Sequence, residues 1–368
     1  MINIQELVPE FRRADAQAYV ETYPFDTLQY QSVFPLLYQP TLSWKAIEAQ
    51  FGAKVMAAVT DFNSRAPRFG RNLPTKIEGD IPKLEIARDK VETDFNTLRE
   101  LEDAVRRLPA GQTRREAAQR VIDWHYEDQV FVRNGIEARN EWLAKRIAST
   151  GKYKLTQVNN EQGIQTVNDV DFAIPVGNFV NAPKNWTDPT ADIIKDIKEM
   201  KARFKAAKLP YPKFMWCEED TISLVGMNAS VQKFTATYVQ NALNLQQEPG
   251  LEEINRALKS KGLPIFKVWE SAMVQESKDG TQTVVSGWEL GNVTFSVTEQ
   301  LGNTQYTLSA DEYVKAGVAQ KTKSGIVLIK TWGIEDPITV VTKGTSYDTP
   351  VLNNAKSTFI LKTILPGG

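Results

Sequence analysis

The chain has 368 residues, 42% hydrophobic and 24% charged, enough apolar material for two or three packed domains. Lysine and arginine total 44 against 45 aspartates and glutamates, a balance that disfavours a broad nucleic-acid-binding face or docking on an anionic membrane. The single cysteine, Cys217, excludes an intrachain disulfide, and no run nears the roughly 18 apolar residues of a membrane span.

Residues 1–7 lack the basic-then-apolar order of a secretory signal, so a soluble protein made inside the cell is expected. Residues 1–40 carry Pro9, Pro24, Pro35 and Pro40, a spacing that prevents a long helix and reads as a loosely structured leading arm. Phe25, Tyr30, Phe34, Leu36 and Tyr38 are too apolar to leave in water, so they should rest on this chain or on a neighbour. Residues 52–92 then read as a long hairpin. Residues 52–59 have strand or short-helix character, 64–74 form an Arg/Pro/Gly-rich tip, and the second arm runs through 83–88. Arg65, Arg68, Arg71 and Lys76 fall in a stretch with no acid, residues 62–77, and Glu78, Asp80 and Glu85 follow. A hairpin with so little core is expected to lie across another surface; an ordinary solvated loop is the competing reading.

Phe95, Leu98, Leu101, Val105 and Leu108 recur every three to four residues and predict an amphipathic helix, stopped by Pro109-Ala110-Gly111. Thr113 and Glu116 then have the spacing of a capping box. The helix they open is expected to reach about Ser149, roughly 50 Å, with Val132, Ile136, Leu143 and Ile147 on one face and Gly135 weakening its middle. Residues 151–172 read as a hairpin. Asp188-Pro189 reads as the N-cap and first position of a helix carrying Ile193, Ile197, Met200 and Phe204 on one face and ended by Pro210. Beyond residue 211 the pattern turns to strands and short helices. These include the apolar run 214–217, a helix over 251–258, a hairpin around Asp279-Gly280, and buried strands at 326–329 and 359–361.

Local catalytic signatures are sparse. His125 is the only histidine and is flanked by Trp124 and Tyr126, which favours packing, and Cys217 sits in an apolar run. The sequence has no phosphate-binding loop, no dinucleotide glycine motif and no Gly-x-Ser-x-Gly elbow. Glu218-Glu219-Asp220, after a strand, has the chemistry to bind a cation or to hold two general acid/base carboxylates, and a solvated turn is its bland alternative. No cofactor is expected.

The order of these elements resembles the major capsid fold of tailed bacteriophages, the Hong Kong-97 type, and in particular the lambda-like capsid protein E family. Tyr23-Pro24-Phe25 in the arm, the tip at 64–74, Gly151-Lys152-Tyr153 after the long helix and the Asp279-Gly280 hairpin carry the likeness. The resemblance implies an α+β chain: an N-terminal arm (1–40), an extended loop (41–92), a peripheral domain with a long spine helix (93–210 and 330–368) and an axial domain (211–329). It implies a structural, non-enzymatic subunit that joins copies of itself in pentamers and hexamers of an icosahedral virion shell assembled in the host cytoplasm. Scaffolding, portal and decoration proteins and packaged double-stranded DNA, bound without sequence specificity, are the further partners; no membrane is involved. The expected inter-subunit contacts are Arg65, Arg68, Arg71, Lys76, Glu78 and Asp80. The alternatives are an encapsulin-like cage, a repeated tail-tube subunit and a carboxylate-dependent hydrolase centred on Glu218, Glu219 and Asp220.

Overall fold

A computed structural model describes residues 4–8, 11–25, 28–47, 76–156, 158–161, 163, 169–236, 248–314 and 317–365. Its organising element is the helix Gln112–Thr150, 39 residues long, or about 58 Å at 1.5 Å per residue. Val132, Ile136, Leu143 and Ile147 are buried along one face, as their spacing predicts. The expected capping box does not form. The helix starts at Gln112 behind Gly111 with no side-chain cap, and Glu116 is taken up by Gln112, whose Nε2 donates to it at 2.9 Å. Gly135 has a packing role. A Cβ there would lie 2.5 Å from Cδ1 of Ile86, so its absence lets a strand lie close against the helix.

That strand, Lys83–Val91, belongs to a six-stranded sheet centred on Thr339–Leu352. The order is Leu36–Tyr38, Gly302–Thr307, Thr339–Leu352, Val327–Ile334 and Gln320–Ser324, with Lys83–Val91 also paired to the central strand. Leu36–Tyr38 runs parallel to its neighbour, and the other pairings are antiparallel. Val132 and Ile136 of the long helix share a core with Ile326, Val327 and Ile329, backed by Leu84 and Ile86.

A second, five-stranded sheet has the order Phe179–Asn181, Phe359–Lys362, Asn292–Ser296, Phe214–Cys217 and Ile265–Val268. Period-two alternation divides its side chains between two cores. Met215, Cys217, Phe295, Phe359 and Leu361 face helices Ile193–Ala206, Glu219–Met227, Ala229–Thr235 and Leu251–Ser260. Trp216 and Ile360 face the other way, into the core around Leu143 and Ile147. The Thr294 hydroxyl donates to the Ala148 carbonyl at 2.7 Å, and the Asn292 amide donates to that of Ser149 at 2.8 Å. One helix thus carries the first sheet along its middle and the second at its C-terminal end.

Packing groups the chain differently from the expected segments. Helix Ile193–Ala206 shares its core with the five-stranded sheet because its apolar stripe meets Met215 and Phe359. Strands Gly302–Thr307 and Gln320–Ser324 lie instead in the sheet on the long helix. The leading arm is also more ordered than its prolines suggest. It contains helix Arg13–Thr22, with Ala16 and Val20 buried, while Ile4, Val8 and Phe11 pack beside Tyr126 and Val340. Tyr30 and Phe34 are fully buried in this chain, Phe25 lies under the Arg133 guanidinium, and Leu36 and Tyr38 remain exposed in the edge strand. The expected cap at Asp188 shifts to Asp192, which accepts from the Lys195 amide at 3.0 Å. Asp188 instead closes a turn on Thr190.

Candidate assembly interface

Arg65, Arg68 and Arg71, together with residues 52–59 and the tip at 64–74, lie outside the described residues. The root of the hairpin is described. Strands Ser43–Ile47 and Lys76–Asp80 pair antiparallel, Ser43 opposite Asp80 and Ile47 opposite Lys76. The first arm therefore begins earlier than the expected residue 52, and the second arm ends at Asp80. Residues 83–91 belong to the large sheet, because Lys83–Val91 finds a full-length partner in Thr339–Leu352. Lys76 opens the second root strand, and Glu78 and Asp80 are exposed along it, with Lys45 directly opposite Glu78.

The root is clamped to the body through Trp44 and Lys45 and closed by contacts of its own. Trp44 is buried and its ring meets Phe172 with centroids 5.3 Å apart. Gly79 lies directly across from Trp44; a Cβ there would stand 2.7 Å from the indole, so this position requires glycine. The buried Gln305 side chain imitates a neighbouring strand at Lys45, accepting its N–H at 3.0 Å and donating to its carbonyl at 2.7 Å. The Ile81 amide closes the base by donating to the Leu42 carbonyl at 2.7 Å. Residues 48–75 therefore leave and return through one fixed doorway, the Ile47–Lys76 pair.

The rival carboxylate group has structural partners. Glu218 precedes helix Glu219–Met227, accepts from the Ser286 hydroxyl, and lies 3.8 Å from the Lys145 ammonium. Glu219 and Asp220 occupy the first turn of that helix, where the N–H groups favour negative charge. His125 stacks edge-on against Trp124. Cys217 is fully buried, and burial pushes its thiol well above the usual range, opposite to what a reactive thiolate needs. Among the described residues no group of three His, Cys, Asp or Glu is placed to hold a metal ion, and no helix is long and apolar enough to cross a membrane.

Residues 39–363 match the family model of phage major capsid protein E. The chain belongs to that family. Its fold is similar to that of a prophage protein of E. coli CFT073 assigned as a capsid protein, with a TM-score of 0.55, 16% identity and 99% of each chain covered. It is also similar to a phage-related protein of Bordetella bronchiseptica RB50, with a TM-score of 0.51, 12% identity, and 95% of this chain and 96% of the other covered. No curated protein matches the chain significantly in sequence.

This capsid-family chain also holds a buried polar ladder that sequence reasoning missed. Glu137, Glu141 and Lys145 recur every four residues along the buried side of the long helix. Glu137 accepts from the Tyr30 hydroxyl and from Gln31. Glu141 accepts from the Tyr30 amide at 2.8 Å, from the Trp269 indole and from the Ser271 hydroxyl. Lys145 donates to the Ser271 carbonyl; burial lowers its pKa, while Glu218 and Glu141 oppose that shift. The ladder ties the leading arm, the long helix and the segment after strand Ile265–Val268 into one unit. Its one sequence signal is the four-residue spacing of charges within an otherwise apolar face.

Proposed function

We propose that this chain is the repeating subunit of the icosahedral shell of a tailed bacteriophage, joined to copies of itself in pentamers and hexamers. The observation that carries the reading is the clamped doorway of the hairpin. Residues 48–75, with Arg65, Arg68 and Arg71, emanate from a root held by Trp44, Gly79 and Gln305. A segment launched so firmly from a packed body suits the bridging of a neighbouring copy. On this reading Arg65, Arg68, Arg71 and Lys76 meet acidic groups of that copy, and Glu78 and Asp80 meet basic ones. Exposed ion pairs contribute only about 0–1 kcal/mol each, so they set register while apolar burial supplies the affinity. Repetition around closed symmetry makes modest contacts add up, because no subunit leaves alone.

The long helix with its six-stranded sheet takes the peripheral role, and the five-stranded sheet with its helices takes the axial one. The part is structural, not enzymatic. Scaffolding and portal proteins, a decoration protein and packaged duplex DNA are the partners of such a shell, formed in the host cytoplasm.

The test removes residues 64–74 and images both proteins by electron microscopy. The intact chain should form closed shells, and the shortened chain should remain folded, with an unchanged melting transition, but give no shells. Normal particles from the deletion would refute the role given to the hairpin. A stable monomer of the intact chain under all assembly conditions would refute the shell itself. Particles enclosing protein cargo instead of DNA would point to a cage.

A further inference from the structure

The chain is nearly neutral as a whole, but its charge is not evenly spread. None of its 27 lysines lies between Lys90 and Lys145, whereas eight of its 17 arginines do, six of them at Arg99, Arg106, Arg107, Arg114, Arg115 and Arg120. Residues 104–122 contain five arginines and one acid, Glu116, a net charge of +4 from five minus one.

The fold gathers these residues at one place. Helix Glu92–Arg107 and the start of helix Gln112–Thr150 form an antiparallel helical hairpin, registered by the Phe95–Trp124 ring contact, with centroids 5.6 Å apart. Only Leu98 of the first helix is buried, and the long helix becomes buried only from Tyr126 onward, so the turn between the helices stands clear of both sheets. Arg106, Arg107, Arg114, Arg115 and Arg120 are all exposed there. Arg106 pairs with Glu102 and Asp103 on its own helix. Among the described residues no carboxylate lies within ion-pair distance of Arg107, Arg114, Arg115 or Arg120. The placement of Arg114 and Arg115 is unfavourable in isolation. They occupy the first turn of a helix with no acid and no side-chain cap, where the backbone already presents positive partial charge. Places where local rules are broken are expected to be functional or strained.

We propose that this arginine-lined tip is a contact for the phosphate backbone of duplex DNA. The chemistry favours phosphate over acidic protein. Every cation at the tip is a guanidinium, whose planar fork matches phosphate oxygens in pairs, and uncapped helix N–H groups add donors of the same sign. With four or five phosphate contacts the binding is weak and strongly salt-dependent, which holds a duplex near a wall without arresting it. The proposal rests on the shell reading only for where the DNA would be met.

The experiment measures fluorescence anisotropy of a labelled 20-base-pair duplex with the purified full chain at about 50 and 200 mM salt. Affinity of the unaltered protein should fall roughly 100- to 500-fold across that range. The quadruple variant Arg107→Ala, Arg114→Ala, Arg115→Ala, Arg120→Ala should bind at least tenfold more weakly at low salt, with a shallower salt slope, and still form shells. Replacing the same four by lysine, which keeps the charge, should retain the slope and lose only part of the affinity. The variant Arg65→Ala, Arg68→Ala, Arg71→Ala should lose shells and keep duplex binding. Absence of binding by the unaltered chain, unchanged binding after the quadruple alanine substitution, or equally tight binding of a polyglutamate peptide would each overturn the proposal. Duplex binding at the tip by a chain that never forms shells would sustain it while removing the shell reading.

Discussion

Asp348 shows how much one buried atom decides. Its side chain is fully buried on the central strand Thr339–Leu352, where Oδ2 accepts from the Asn140 amide at 2.7 Å. Oδ1 of Asp348 and Oδ1 of Asn140 both lack a hydrogen-bond donor, an arrangement that suits a proton on the carboxyl group. Burial, reinforced by the Glu137 charge, pushes the Asp348 pKa up to about 7. An unfolded aspartate titrates near 4. Between about pH 4 and 7 the folded chain therefore holds a proton that the unfolded chain has released. The contribution is fully present below pH 4 and lost as pH rises through 7, on the order of a few kcal/mol in total. Thermal melts at pH 5 and pH 8 check this: Asp348→Asn should remove part of the decline in melting temperature that the unaltered protein shows. Parallel declines in the two proteins would contradict it. Nothing in the local sequence marks Asp348 as special; its environment is made by Asn140, 208 residues away.

At the level of single elements, the long helix was readable where it is apolar and opaque where it is polar. Val132, Ile136, Leu143 and Ile147 announce their face because burial repeats with the helical period. Glu137, Glu141 and Lys145 look like ordinary surface charges, since their partners Tyr30, Trp269, Ser271 and Glu218 are supplied by other segments. Removing the middle rung should be costly. Glu141→Ala would leave the Tyr30 amide and the Trp269 indole without their acceptor and take a counter-charge from beside Lys145, a loss of about 3–5 kcal/mol. Chemical denaturation should show a lowered midpoint. A change below about 0.5 kcal/mol would mean that the ladder is replaceable by water. The helix starts were misplaced for a related reason. Thr113 and Asp188 have the right chemistry for caps, but competing local bonds, Gln112 to Glu116 and Thr190 to Asp188, decide the observed geometry.

For the molecule as a whole, the α+β class and the capsid family were legible in the order of arm, hairpin, long helix and later strands. The grouping of segments was not, because the six-stranded sheet is assembled from four separate regions of the chain. Loop-closing topology of this kind leaves no local periodic trace. The hairpin root offers a test of how assembly depends on the body. Trp44→Ala removes the buried indole across from Gly79, a truncation that costs about 3–5 kcal/mol in a core. The expected result is a folded protein with a lowered melting temperature and fewer shells by electron microscopy. Unchanged shell yield would separate assembly from the doorway.

Only Ile81 and Pro82 separate the second root strand from Lys83–Val91, which pairs over nine consecutive positions with Thr339–Leu352. Tension carried along that strand axis must slide the rungs together, the loading mode in which hydrogen-bonded ribbons resist most, because none can be peeled away first. A pull on the hairpin root along that direction would be passed to the central strand of the six-stranded sheet, so the root and its anchor plate are one continuous piece of polypeptide.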